Sequence, residues 1–170
     1  MNRSTNMAKA NQTINNEWFD KPDPTGTTDT GEVGLRFTCT QCGNCCTGPT
    51  GFVLFTDKEA DAMAAELGIS SEDFYKQYSR ETLVGRSLNE TVVDGFGYDC
   101  VFLTRDDKTG KTGCSVYKSR PEQCRTWPFW RSNLIGKRAW KEESRDCPGM
   151  NTGQLHSPEH IRITRDRVEI

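Results

Sequence analysis

Apolar side chains recur in three short windows of the chain that each open with a residue favouring a helix start. The first window follows the capping-box pattern of Thr56 and Glu59 and stops at Gly68. The second begins near Ser70 and the third at Ser157. The apolar faces of the first two predicted helices are Ala60, Met63, Ala64 and Leu67, and Phe74, Tyr75 and Tyr78. The third helix is expected to run through Ile161, Ile163 and Val168.

Strand patterns lie mostly between the second and third helices. Residues 98–104 and 113–117 flank a polar loop, which is typical of a β-hairpin, and Cys100 and Cys114 lie on its two arms. An earlier apolar run, Phe52–Phe55, also predicts a short strand. A helical turn is expected at 120–125, with Pro121 in its first position.

Residues 1–35 differ from the rest of the chain in being rich in Asn, Thr, Asp, Gly and Pro, which predicts a disordered N-terminal tail. Trp18 and Phe19 are the only large apolar side chains next to each other in this tail, and we expect them to pack against the folded domain. We expect the folded domain over 36–170, as a small, irregular α+β fold with short helices and a β-hairpin. Because hydrophobic residues make up only 34% of the chain, the core should be thin, and a bound metal would supply folding free energy.

The first residues contain no apolar run, so we expect neither a signal peptide nor a membrane anchor, and a cytoplasmic location. No stretch reaches the length of a transmembrane helix. The chain has eight cysteines, and in a reducing compartment these indicate metal ligands more readily than disulfides. Four disulfides, in a protein exported by another route, are the alternative.

Four cysteines fall within eight residues, at Cys39, Cys42, Cys45 and Cys46. The spacing of two residues lets the first three face one centre across a loop. Cys46 follows directly, so its side chain is expected to point elsewhere. Thiolates this close repel one another unless a positive centre lies between them, and a metal ion or an iron–sulfur cluster is the simplest occupant.

The other four cysteines are scattered along the chain and must be gathered by folding. We predict one or two centres. The first uses Cys39, Cys42 and Cys45, closed by a distal cysteine such as Cys147. The candidates for the second are Cys46, Cys100, Cys114 and Cys124.

The identity of the metal stays open between two cofactors. Structural zinc sites usually draw on two separate ligand pairs, and only one cluster here has that spacing. A Cys-x-x-Cys-x-x-Cys run completed by a remote Cys-Pro, here Cys147-Pro148, resembles bacterial ferredoxin ligation. The pattern therefore favours an iron–sulfur cluster slightly over Zn²⁺. A metal that only stabilises the folded core, with no further chemistry, is an equal alternative to a functional centre.

Two other features have a functional and a structural interpretation. Residues 118–141 hold seven basic side chains and one acidic, interleaved with tryptophans, which could bind nucleic acid. The formal net charge of -2 favours the other interpretation, in which Arg125 and its neighbours offset thiolate charge and the tryptophans pack. His156 and His160 could meet a metal from one helix face, but such a pair is more often solvated.

The cysteine-bearing segments together resemble the YkgJ-type cysteine-cluster (CxxCxxCC) family, a zinc- or iron-chelating domain. The matching segments are Phe37–Cys46, Cys100–Leu103, Cys114–Tyr117 and Arg120–Phe129, within about residues 36–150. Trp127 stands where an aromatic residue, often Phe, is usual. The resemblance implies metal chelation and supplies no reaction.

The predicted function is therefore a metal-binding protein of unknown physiological role. The alternative is a cluster-dependent protein-modifying enzyme, because such cysteine clusters are distantly similar to flagellin lysine methylases. The chain shows no Gly-x-Ser-x-Gly, Walker, Rossmann or His-Glu-x-x-His motif, and we identify no methyl-donor site. A protein partner of unknown identity is compatible with either function.

Overall fold

The structure, a computed structural model, describes residues 16–26, 31–93 and 97–169. Within these ranges the helices are α1 (Asp57–Leu67), α2 (Ser71–Tyr78), α3 (Glu122–Arg125), α4 (Arg131–Leu134), α5 (Lys137–Glu143) and α6 (Pro158–Arg165). The strands are β1 (Leu35–Phe37), β2 (Thr47–Gly48), β3 (Ser79–Thr82), β4 (Gly85–Leu88), β5 (Glu90–Val93), β6 (Gly97–Cys100), β7 (Leu103–Arg105), β8 (Thr112–Cys114) and β9 (Met150–His156). Two 3₁₀ helices cover Trp18–Asp20 and Asn44–Cys46. The fold is α+β, as predicted.

The three predicted helices form where their capping residues lie. At the start of α1, the Glu59 N–H donates to the Thr56 hydroxyl at 3.3 Å, and the Glu59 carboxylate accepts from the Thr56 N–H at 2.7 Å. Gly68 ends the helix with a left-handed φ of 70°. Ser70 and Ser157 are the N-caps of α2 and α6. No helix among the described residues is long and apolar enough to cross a membrane.

The strands pair antiparallel in small sheets, β1 with β9, β3 with β4, β7 with β8, and β2-β6-β5. The predicted hairpin is confirmed in β7 and β8, where Leu103 lies opposite Cys114. Cys100, which we placed on the same hairpin, lies instead on β6 opposite Glu90. The first arm is therefore shared between two hairpins.

The strand predicted over Phe52–Phe55 is wrong: in this segment, Leu54 makes a single bridge to Ser87. Side chains take over the backbone partners that a neighbouring strand would supply. The side-chain oxygen of Gln123 accepts from the Leu54 N–H at 2.8 Å, and its amide donates to the Phe52 carbonyl at 2.8 Å.

Among the described residues, the core consists of two clusters. The first cluster is built from Phe19, Leu35, Phe129, Leu134, Trp140, Cys147, Met150 and Ile161. The second cluster is built from Ala60, Met63, Ala64, Phe74, Leu88, Phe102 and Val116. The hydrophobic residues of the chain thus form two separate clusters of modest size.

The packed domain extends to the N-terminal side of residue 36, where we placed its boundary. Phe19 is fully buried in the first cluster, and the indole N–H of Trp18 donates to the Leu134 carbonyl at 2.8 Å. The Arg162 guanidinium forms ion pairs with Glu17 at 2.8 Å and with Asp20. Of the tail predicted over residues 1–35, residues 1–15 and 27–30 lie outside the described residues.

Candidate metal centre

Six of the eight cysteines line one cavity of about 200 Å³ between the two core clusters. They are Cys39, Cys45, Cys46, Cys100, Cys114 and Cys124. Leu88, Phe102 and Val116 of the second cluster form one apolar wall, and Phe37 and Trp127, which pack on the first cluster, form the other. All eight cysteines are free thiols. Folding thus gathers thiols around one space from β6, β8, α3 and the segment Cys39–Cys46, which we call the cysteine turn.

The cysteine turn is held over the cavity by contacts with β8 and β6. The Thr112 N–H and hydroxyl both donate to the Gln41 carbonyl, at 3.2 and 2.7 Å. A side chain at Gly43 would meet the Thr112 hydroxyl at 2.7 Å, and Gly43 has a φ of 78°, so this position favours glycine on both counts. Thr47, which follows the turn, pairs with Asp99 on β6. These contacts bring the turn beside Cys100.

Cys124 lies on α3, a short helix that distant side chains hold in place. The Glu59 carboxylate, which also caps α1, accepts from the Glu122 N–H at 2.6 Å and so satisfies a free donor of α3. Gln123 ties α3 to the segment around Leu54, as described above. A four-residue helix has little stability of its own, so these contacts position the Cys124 thiol.

Cys45 and Cys46 lie closer together than their positions in the sequence suggested. Their Sγ atoms are 3.8 Å apart, because the 3₁₀ helix Asn44–Cys46 turns both side chains to the same side. The expectation that Cys46 points away from Cys45 is therefore wrong. This contact lowers the pKa of Cys45 to about 7 and, together with burial, raises the pKa of Cys46.

Burial favours the neutral thiol at Cys100, Cys114 and Cys124. Burial raises the pKa of Cys100 to about 11 and that of Cys124 to about 12, and it also raises the pKa of Cys114. The negative charge that a neighbouring thiolate would carry raises each of these pKa values further. A thiophilic cation in the cavity would remove both penalties, and its binding would release protons.

Arg120 supplies positive charge at this cavity. Its guanidinium carbon lies 3.8 Å from the centre of the Tyr117 ring, and both residues line the cavity. The contact with Cys46 and the charge of Arg120 both lower the pKa of Cys45. Burial dominates the pKa of Cys114 and Cys124 and raises it, and Arg120 acts in the opposite sense. The sequence interpretation gave this role to Arg125 and its neighbours without distinguishing them, and both Arg125 and Arg120 line the cavity.

Cys42 and Cys147 do not line the cavity, and the two lie near each other. Thr38 donates its N–H to the Gly149 carbonyl at 3.1 Å, and Asn44 donates its amide to the Asp146 carbonyl at 2.5 Å. These two hydrogen bonds bracket Cys42 and Cys147 on their two segments. Burial raises the pKa of Cys147, and the nearby Cys42 raises it further.

The structure thus divides the cysteines differently from the predicted grouping. We placed Cys39 and Cys45 with Cys42 and Cys147. In the structure, both instead line the cavity with the thiols predicted for the second centre. Among the described residues, no three His, Cys, Asp or Glu side chains are arranged to hold a single metal ion. Ligation by the cysteines therefore stays a prediction.

The two histidines lie on different elements: His156 is the last residue of β9, and His160, which is exposed, lies on α6. The rings of His156 and His160 stack at 5.0 Å, and Phe129 packs against both. The Nε2 atom of His156 lies 3.1 Å from the Phe37 carbonyl oxygen. Burial lowers the pKa of His160. Neither ring lines the cysteine cavity.

A family model built around the CxxCxxCC motif, described as a zinc- or iron-chelating domain, matches residues 38–148. The chain belongs to this CxxCxxCC family. The matched region contains all eight cysteines, including Cys42 and Cys147 outside the cavity. Chelation of zinc or iron is the property that the family description gives.

Among curated proteins, the chain is similar to the uncharacterized protein MJ0661 of Methanocaldococcus jannaschii, with 36% identity over 98 residues. The match covers 56% of this chain and 46% of that relative, so the chain spans about half the length of the protein it matches. No solved structure matches the chain significantly. The comparisons thus support metal chelation within the CxxCxxCC family and name neither the metal nor a reaction.

Proposed function

We propose that this chain is a metal-binding module that holds an iron–sulfur cluster in the cavity between its two core clusters. The observation that carries the proposal is the set of six cysteines around one cavity of about 200 Å³. A single tetrahedral zinc ion takes four ligands at one point. Six thiols around a space this size suit a centre of several atoms, and iron–sulfur clusters are held by cysteine thiolates.

The ligands we propose come from both sides of the cavity. Cys100, Cys114 and Cys124 are half-buried on β6, β8 and α3, whose positions are fixed by strand pairing and capping. Cys45 and Cys46 come from the turn above them and complete the set. A bound cluster would supply a centre that stores an electron and joins the two halves of the core. The role that fits is storage, delivery or sensing of metal or redox state.

The test is anaerobic purification, followed by elemental analysis for iron, acid-labile sulfide and zinc, and by a visible spectrum. We expect iron and sulfide in comparable amounts, with the broad visible absorption of thiolate-ligated iron. Cys124→Ser should lose most of the iron. Cys42→Ser is the matched control, because Cys42 lies outside the cavity lining, and it should keep the cavity centre.

Circular dichroism of both variants separates loss of ligand from loss of fold. A colourless wild-type protein that carries stoichiometric zinc would replace the cluster with a zinc site. A folded wild-type protein that binds neither metal would overturn the proposal altogether.

A further inference from the structure

Arg120 places a positive charge at the cysteine cavity without a carboxylate partner among the described residues. It is half-buried, lines the cysteine cavity, and forms no ion pair with any described residue. Three other arginines in this half of the chain are paired with carboxylates at 2.8–3.1 Å: Arg131 with Asp166, Arg138 with Glu142, and Arg167 with Glu122. Arg125, which also lines the cavity, is exposed and donates to backbone carbonyls instead. A half-buried charge without a partner costs free energy unless something nearby compensates it.

Neighbouring groups hold the Arg120 guanidinium in position without neutralising it. The ring of Tyr117 lies 3.8 Å below the guanidinium carbon, which is close contact for a cation over an aromatic face. The Tyr117 carbonyl lies 3.5 Å from its Nη1 atom, which is too long for a strong hydrogen bond. Arg125 donates to the carbonyls of Lys118 and Arg120, at 2.9 and 2.7 Å, and so fixes the backbone that carries Arg120.

Arg120 lines the same cavity as six thiols. Its charge reaches Cys45, Cys114 and Cys124, which come from the turn, from β8 and from α3. The carboxylates Glu66 and Glu143 add negative potential at the cavity edge. A metal bound by several thiolates is itself an anion, because the thiolate charges outnumber those of the metal. Filling the cavity therefore supplies the compensating charge that Arg120 lacks.

We propose that Arg120, held on the Tyr117 ring, is a positioning residue for the metal centre, and that its fixed charge stabilises the anionic thiolate shell and strengthens metal binding. The inference rests on the proposed function, since it requires that the cavity binds a metal. Groups just outside a ligand shell have this kind of effect on metal affinity in other metal sites.

The test measures the affinity of the reduced, metal-free protein for Zn²⁺ alone, by anaerobic competition with a chromophoric chelator. We expect Arg120→Gln to weaken zinc binding by about 10-fold to 100-fold, as loss of an outer-shell partner does elsewhere. Arg120→Lys should recover part of the loss, because it keeps the charge but not the planar stacking. Arg138→Gln is the matched control, since Arg138 is exposed and paired away from the cavity, and it should bind like wild type.

Two further measurements separate charge from packing. Tyr117→Phe keeps the ring and should bind zinc like wild type, whereas Tyr117→Leu removes the ring face and should weaken binding. The difference between wild type and Arg120→Gln should shrink as salt is added, because ions screen a partly exposed charge. A purely structural role for Arg120 would not respond to salt in this way.

The outcomes of the two proposals can be told apart. If wild type binds no zinc and no iron, the proposed function fails. If wild type binds zinc and a folded Arg120→Gln binds it within about twofold, the role of Arg120 is wrong, because an outer-shell partner has a larger effect. If Arg120→Gln does not fold, an unchanged, salt-independent affinity in Tyr117→Leu overturns the inference instead.

Discussion

Cys45 and Cys46 are adjacent in the sequence and have opposite acid–base properties. The contact between their sulfurs stabilises one thiolate, so the pKa of Cys45 falls to about 7. The same contact and burial raise the pKa of Cys46. Cys45 is also exposed, whereas Cys46 is half-buried. A single residue of the turn is therefore the most reactive thiol that these pKa shifts identify.

This difference predicts how the metal-free protein reacts with iodoacetamide. The thiolate is the nucleophile, so Cys45 should be protonated and slow below pH of about 7 and should react readily above it. Cys100 should react only at much higher pH, because burial raises its pKa to about 11. Peptide mass spectrometry across a pH series measures both midpoints.

Cys46→Ala provides the check on the cause. Removing the neighbouring thiol should move the Cys45 midpoint upward, toward the ordinary cysteine value of about 8.5. A midpoint that stays at its wild-type value in Cys46→Ala would contradict the assignment to the sulfur–sulfur contact.

The 3₁₀ helix Trp18–Asp20 shows how a three-residue element becomes part of the core. It has almost no stability of its own, yet it buries Phe19 completely and is tied to α6 through Arg162. The ring of Phe19 lies against Trp18 and beneath the Arg162 guanidinium. Tertiary contacts therefore hold this element in place.

Replacing Phe19 tests the contribution of this element to stability. Phe19→Ala should lower the free energy of unfolding by roughly 3–5 kcal/mol, because it removes a fully buried aromatic ring. Urea unfolding measures the change. Leu83→Ala is the control, since Leu83 is fully exposed, and it should change the stability by less than about 0.5 kcal/mol. An equally small effect of Phe19→Ala would show that the segment does not support the core.

At the scale of the whole molecule, the cysteine cavity lies where the two core clusters meet. Phe37 and Trp127 belong with the first cluster, and Phe102 and Val116 with the second, and all four line the cavity. A metal bound there would connect elements that otherwise meet across an open space. The low hydrophobic content of 34% makes such a connection a substantial part of the stability.

Removing the metal should therefore destabilise the whole domain. A ligand at a thousandfold excess over its Kd stabilises a protein by about 4 kcal/mol. In a chain of this size that corresponds to a Tm shift of roughly 10 °C. Scanning calorimetry of metal-loaded and chelator-treated protein measures the shift. The chelator should have no effect on Cys124→Ser, and an unchanged Tm in the wild type would contradict a stabilising centre.

The local features of the fold could be predicted from the sequence because their causes lie within a few residues. Thr56 and Glu59 cap α1 through their own hydrogen bonds, and Gly68 ends the helix. The hairpin of β7 and β8 follows from two strand patterns around a polar loop. Membership of the CxxCxxCC family likewise follows from cysteine spacing and its flanking motifs.

The features that the sequence predicted wrongly, or did not predict, depend on residues far apart in the chain. The strand β9 contains Asn151 and Gly153 in left-handed conformations and shows no strand pattern, yet it forms because β1 pairs with it. Likewise, the segment around Leu54 is not a strand, because Gln123 takes its hydrogen bonds. The sequence by itself determined that the thiols are clustered and which family they define. Only the tertiary structure decided which thiols share the cavity and that Arg120 lines it with them, because long-range packing brings those groups together.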